Sequence, residues 1–137
     1  MANFVYKKAK EALLNGDIDV LANQLKILLL KKPEYTPNEN TDQYVSDIPA
    51  NAIVLRSETI VGVTSSNGTL NADDITITNY NGSSFGAIAA YQYAPSDTNA
   101  RLIFYIDNSD GLPYTGLNTV SSVTIIWNED STKILTI

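Results

Sequence analysis

FGAIAAYQYAPSDTNARLIFYID, Phe85 to Asp107, is the stretch on which the fold of this chain turns. Phe85, Ala87, Ala89, Tyr91 and Tyr93 recur at every second position, and after the turn-forming APSDTN so do Leu102, Phe104 and Ile106. A period of two belongs to a β-strand, whose side chains alternate between the two faces. The intervening positions include Ile88, Ile103 and Tyr105 and are only partly polar. Such strands need cover on both sides, from the N-terminal helix or from a neighbouring subunit. Gly86, alone inside a strand, reads as a bulge or a close backbone approach.

The same texture extends outward from this pair. From Ile53 onward, IVLRSETIVGV, DITITNY, SVTIIWN and KILTI are further candidate strands. Between them lie SSNG, YNGS, NSDGLPYTG and NEDS, rich in the residues that favour tight turns. Val123, Ile125 and Trp127 share one face, with Ile126 on the other. Strands of this length joined by such turns predict a mainly β (α+β) chain, an antiparallel β-sandwich or open barrel. Upstream, FVYKKAKEALL places Phe4, Val5, Ala9, Ala12 and Leu13 at helical spacing opposite lysines, and Asn15-Gly16 supplies a stop. VLANQLKILLLKK fits both periods, and propensity by itself favours helix. Pro33 ends that element, and a polar connector with Pro37 and Pro49 follows. Within it TDQYVSDI predicts one further short helix capped by Thr41 or Asp42, with Tyr44, Val45 and Ile48 turned inward. The expected organisation is an N-terminal amphipathic helix or arm over residues 1–16 and a single β-rich domain over 17–137.

Composition narrows the function classes. The 137 residues, 44% hydrophobic and 18% charged, suit one globular core. The absence of any Cys or His excludes disulfides, Cys/His zinc sites, cysteine nucleophiles, Ser-His-Asp triads and imidazole bases. The longest purely apolar run, Ile27 to Leu30, is far too short to span a bilayer, and lysines occupy the place of a signal-peptide core, so a soluble protein with no membrane partner is expected. The net charge of −6 is unevenly spread: through Lys32 six lysines face three acids, and from Pro33 onward three basic residues face twelve acids. An acidic body repels phosphate, which argues against a nucleic-acid partner.

The candidate sites reduce to turns and contacts. Asp73 and Asp74 precede the alternation Ile75, Ile77, where acidic side chains commonly bond turn amides. Adjacent carboxylates on extended backbone point apart, unlike the facing pair a glycosidase needs. Asp107, Asn108, Ser109 and Asp110 gather oxygens before Gly111, but Leu117 stands where an EF-hand has its glutamate, so a loop is expected. The Asn67-Gly68-Thr69 and Asn81-Gly82-Ser83 sequons both contain the Asn-Gly hairpin signal and are read as turns. No catalytic, cofactor-binding or metal-ligating residues are assigned, and no cofactor is expected. The residues singled out as an interface are Phe4, Tyr6, Lys7, Lys10, Tyr35, Tyr44 and Tyr114.

In order along the chain, FVYKKAKEALLNGDI, LKILLL, EYTPNENTDQYVSDIPANAIV, LNADDITITNYNG, ARLIFYIDNSDGLPYTGLN and VTIIWN resemble the motifs of a family of small tailed-bacteriophage virion proteins. That family's pattern is a Y-x-K-A-K-x-x-L-L-x-G helix, Y-T-P-[ND], a Ser-Asp-Ile segment, a D-A-D-D-[VI]-T strand, a strand ending Y-I-D, a G-L-P turn and a terminal W-[DN] strand. The chain departs from it in having Gly116-Leu117-Asn118 in place of a glycine-rich turn. The resemblance implies a non-enzymatic capsid decoration (cement) protein on the virion surface, a homo-oligomer such as a trimer with the major capsid protein as partner. It leaves open a head-fibre, neck or tail-associated component, or a displayed carbohydrate- or host-binding module using Trp127 and the tyrosines. It also implies a strand for Gln24 to Leu30, against propensity.

Overall fold

The computed structural model describes residues 3–22, 24–66, 69–78, 80–108, 112–114, 122–127 and 135–136. Its core is a five-stranded antiparallel sheet, in the order β1 (Asn3–Val5), β8 (Arg101–Ile106), β7 (Ala87–Gln92), β2 (Leu25–Leu30) and β3 (Ile53–Arg56). Two smaller sheets accompany it. One joins β4 (Thr64–Ser66), β5 (Thr69–Asn71) and β10 (Leu135–Thr136), and the other pairs β6 (Ile75–Ile77) with β9 (Val123–Ile125). The chain is thus mainly β and antiparallel, as its alternation predicts.

Leu25–Leu30 is a strand, the second from one edge of the sheet, flanked by β7 and β3. Ile27, Leu28, Leu29 and Leu30 are fully buried, so both faces of this strand are covered. A leucine run has no reason to stay helical when ladder bonds to two neighbours and burial on both sides are on offer. β7 and β8 are buried in the same two-sided way, and the cover comes from this chain itself.

The face carrying Phe4, Ala89 and Tyr105 is roofed by the connector. Phe4 stacks on Tyr105 at 5.3 Å between ring centroids, and Tyr35 meets Tyr105 edge-on at 6.1 Å. The opposite face meets the smaller sheets. There the β7–β8 register shifts between Ala90 and Tyr91, so that Ile103 is the extra residue of a bulge between Phe104 and Leu102. A bulge re-aims the side chain it inserts. Ile103 and Phe104 both line a small apolar cavity of about 10 Å³ with Leu25, Ile60, Leu70, Ala72 and Trp127.

The N-terminal segment differs from expectation. Residues 3–5 form an edge strand, and α1 begins only at Lys7 and runs to Asn15, where Gly16 caps it at φ +81°. Phe4 pairs with Tyr105 and the Tyr6 N–H reaches the Ile103 carbonyl at 3.0 Å, so sheet bonds claim residues that helical spacing alone would have placed in α1. Val5, Tyr6, Ala9 and Ala12 belong to the same buried cluster as β2, β7 and β8, so the segment expected as an arm packs as part of the body. The further short helix expected within TDQYVSDI is a single 3₁₀ turn, Val45–Asp47. Its cap is Asp47, whose carboxylate accepts the Gln43 and Tyr44 N–H groups at 2.8 and 2.9 Å, and not Thr41 or Asp42. The Val45 and Leu102 amides bond the Ala100 and Gln43 carbonyls, fastening this turn to the β8 edge beyond β1 and leaving no length for a regular helix. Val45 and Ile48 point inward as expected, whereas Tyr44 is only half-buried.

Gly86 is a close approach: a Cβ there would stand 2.9 Å from Lys32 Cβ. Where β3 leaves β2, Ser57 completes the ladder with its side chain. Its buried Oγ accepts the Ile27 N–H at 2.8 Å and donates to the Glu58 carbonyl at 2.7 Å. Ser57→Ala strands a fully buried amide and should cost about 1–3 kcal/mol. Denaturant unfolding checks this, with the midpoint falling at unchanged slope.

Candidate interaction surface

The seven residues singled out as an interface occupy separate places. Tyr6 is wholly buried and Tyr35 is nearly so. Their hydroxyls meet at 2.9 Å, and Tyr35 donates onward to Asp42 at 2.6 Å. Burial disfavours the phenolate and holds both hydroxyls well above the usual tyrosine range. Phe4 is half-buried against Tyr6 and Tyr105. These three aromatics form a packed cluster beneath the connector.

Tyr44 is half-buried at the β8 edge, with the Arg101 guanidinium 5.4 Å from its ring centre. Tyr114 is half-buried on another part of the molecule, stacked on Phe85 at 5.2 Å and edge-on to Tyr80 at 5.9 Å. It borders an open groove of about 640 Å³ together with Lys31, Lys32, Ser83 and Phe85. Lys7 and Lys10 are exposed on α1.

Lys7 and Lys10 are therefore the pair brought onto one free surface, and the structure adds Leu14, 88% exposed. Positions 7, 10 and 14 form one stripe of a helix whose Ala9 and Ala12 face inward. Helical spacing alone carries that signal, since Leu14 falls on the lysine face. Several of the other described cations are better occupied, while Lys31 stands exposed at the groove. Arg56 makes a two-pronged bond with Asp97 at 2.7 Å per prong, which holds Asp97 below the usual carboxylate range. Lys26 lies 4.5 Å from the Tyr93 ring centre, and Lys32 reaches Asp107 at 3.2 Å. Lys7 and Lys10 join no ion pair among the described residues.

The acidic candidates are structural. The Asp74 carboxylate accepts the Trp127 backbone N–H at 3.0 Å, and the Asp73 carbonyl accepts the indole N–H at 3.1 Å. They link the start of β6 to the end of β9, which answers why two acids stand there. Asp107 is buried; Lys32 pairs with its carboxylate and the Tyr105 hydroxyl donates to it at 3.2 Å. Ser109, Asp110 and Gly111 of the loop considered for calcium lie outside the described residues, as does Leu117. No cluster of three acidic side chains positioned for a metal occurs among the described residues. Asn81-Gly82 is a turn, with Gly82 at φ +83° and the Asn81 side chain accepting the Ser83 N–H at 3.0 Å. Asn67 and Gly68 lie outside the described residues, between strands that pair Ser66 with Thr69. Trp127 is 5% exposed and packs edge-on to Phe104, which removes it as an aromatic platform. Neither a protein-family model nor a curated protein sequence matches the chain.

Proposed function

We propose that this chain is a non-enzymatic bacteriophage virion protein, a capsid decoration (cement) protein that binds the outer surface of the major capsid protein lattice and stabilises the head. The observation that carries this reading is the structural work done by the residues of the virion-protein resemblance. Tyr35 and Asp42 of the YTPNENTD run lock the connector onto Tyr6. Asp47 of the Ser-Asp-Ile segment caps the 3₁₀ turn. Asp73 and Asp74 of the ADDIT strand hold Trp127 of the terminal strand, and Asp107 of YID takes Lys32. Motifs made of turn caps, ion pairs and ring contacts maintain a shape, and a shape is what a lattice-binding protein offers.

On this reading the mechanism is mass action. A protein that binds the assembled lattice and not its free subunits stabilises the lattice by roughly 4 kcal/mol per site at about a thousand times its dissociation constant. An oligomer touching several capsid subunits adds avidity, because its later contacts are intramolecular. Purified particles quantified by mass spectrometry test the proposal. A copy number within a small factor of the major capsid protein supports a decoration protein. A handful of copies moves it to the neck, tail or head fibres, and absence from the particle overturns the virion reading.

A further inference from the structure

The α1 stripe has a counterpart elsewhere on the molecule. Val61 and Ile126 are 61% and 71% exposed, two of the most exposed large apolar side chains among the described residues. The Asp73 N–H donates to the Val61 carbonyl at 3.0 Å, and Asp74 accepts the N–H of Trp127, the neighbour of Ile126. These bonds bring together the segments that carry Val61, Ile126 and the exposed acids Asp73 and Asp74. Gly62 keeps this patch tight: it sits at φ +69°, and a Cβ there would stand 2.5 Å from Asp73 Cγ. One surface is a ridge of Lys7, Lys10 and Leu14; the other offers two carboxylates beside two apolar side chains.

We propose that these surfaces bind each other between copies of this chain, with α1 of one protomer seated on the Val61–Asp73–Ile126 patch of the next. The occupant of the α1 ridge is a second copy because charge and apolarity match on both sides. Lys7 and Lys10 meet Asp73 and Asp74, while Leu14 fills the space between Val61 and Ile126. An apolar centre with charged flanks is the arrangement that desolvates well and sets orientation. Two different patches make the contact heterologous, so it propagates head to tail and closes into a ring when the rotation allows. The inference deepens the oligomeric part of the virion reading, and it is tested on the isolated protein, so either can fail alone.

Sedimentation of the full chain decides it. The wild type should sediment as an oligomer at low salt and dissociate progressively toward about 1 M salt, where the Debye length falls to about 3 Å. Lys7→Glu with Lys10→Glu should weaken association at least about tenfold, and Asp73→Asn with Ile126→Ser should do the same. Mixed together, the two double variants retain one intact acidic patch and one intact basic ridge between them and should form a 1:1 dimer that grows no further. Trp127 emission checks that each variant is folded, and Leu14→Ser is the milder substitute if one is not. A wild type that is monomeric at all salt concentrations overturns the proposal, as do variants that stay oligomeric or a mixture that does not pair. A monomer that loses particle binding when Lys7 and Lys10 are reversed gives the ridge to the capsid lattice and also overturns it.

Discussion

Trp127→Ala should remove about 3–5 kcal/mol of stability, a large part of the roughly 5–15 kcal/mol that holds a domain of this kind together. The indole lies between the main sheet and the smaller ones. It packs edge-on to Phe104 with centroids 6.4 Å apart, and its N–H donates to the Asp73 carbonyl. Truncation deletes that contact, leaves the carbonyl without its donor, and enlarges an apolar cavity already present beside Leu25, Ile60 and Ala90. Trp127→Phe keeps a ring between the sheets and loses the N–H, so it should cost clearly less. Denaturant unfolding followed by circular dichroism measures both, since the only tryptophan of the chain is the residue removed. A Trp127→Ala protein within about 1 kcal/mol of wild type would mean the indole is not between the sheets, and would return it to candidacy as an exposed platform.

Alkali should unfold the protein in a single cooperative step, with the buried tyrosines ionising as the fold is lost. Tyr6, Tyr35 and Tyr105 are all held above the ordinary tyrosine range, first of all because burial penalises the phenolate. Tyr80 and Tyr91 are raised for the same first cause. The folded state keeps these protons while the unfolded chain releases them near pH 10, so the stabilising contribution is complete below about pH 10 and is lost as pH rises beyond it. Three such phenols acting together give a slope of about 4 kcal/mol per pH unit once the unfolded state has titrated. The tyrosinate absorbance of these five buried residues and the near-ultraviolet circular dichroism should therefore change together. Ionisation of all eight tyrosines with the dichroism intact would show that these hydroxyls reach water in the native state and would contradict their burial.

Much of the architecture is legible in the residues because its signals are local. The alternation of Ala87–Gln92 and Arg101–Ile106, the αL stop at Gly16 and the Asn81-Gly82 turn each depend on a few neighbouring residues and on steric rules that hold in any fold. Misplacements occur where distant partners decide. Residues 3–5 carry a helix-compatible pattern, yet β8 offers them an open edge about a hundred positions away in sequence, and edge pairing wins. The connector's short helix gives way to a 3₁₀ turn for the same reason, since β8 claims the amides on either side. The interface residues follow suit. A tyrosine is amphipathic, so its type alone does not say whether it lies in a core, like Tyr6 and Tyr35, or at a surface.

By itself the sequence determined the mainly β, antiparallel character of the chain, its turns, and the absence of cysteine and histidine chemistry, because periodicity, turn residues and composition are properties of the chain alone. The tertiary structure decided that Leu25–Leu30 is an inner strand flanked on both sides, that the Asp73-Asp74 pair anchors Trp127, and that Tyr6 and Tyr35 lie in the core. Each of these depends on which surfaces the remote parts of the chain cover. Burial and hydrogen-bond pairing between residues far apart in sequence leave no local mark, so they become visible only once the layers are assembled.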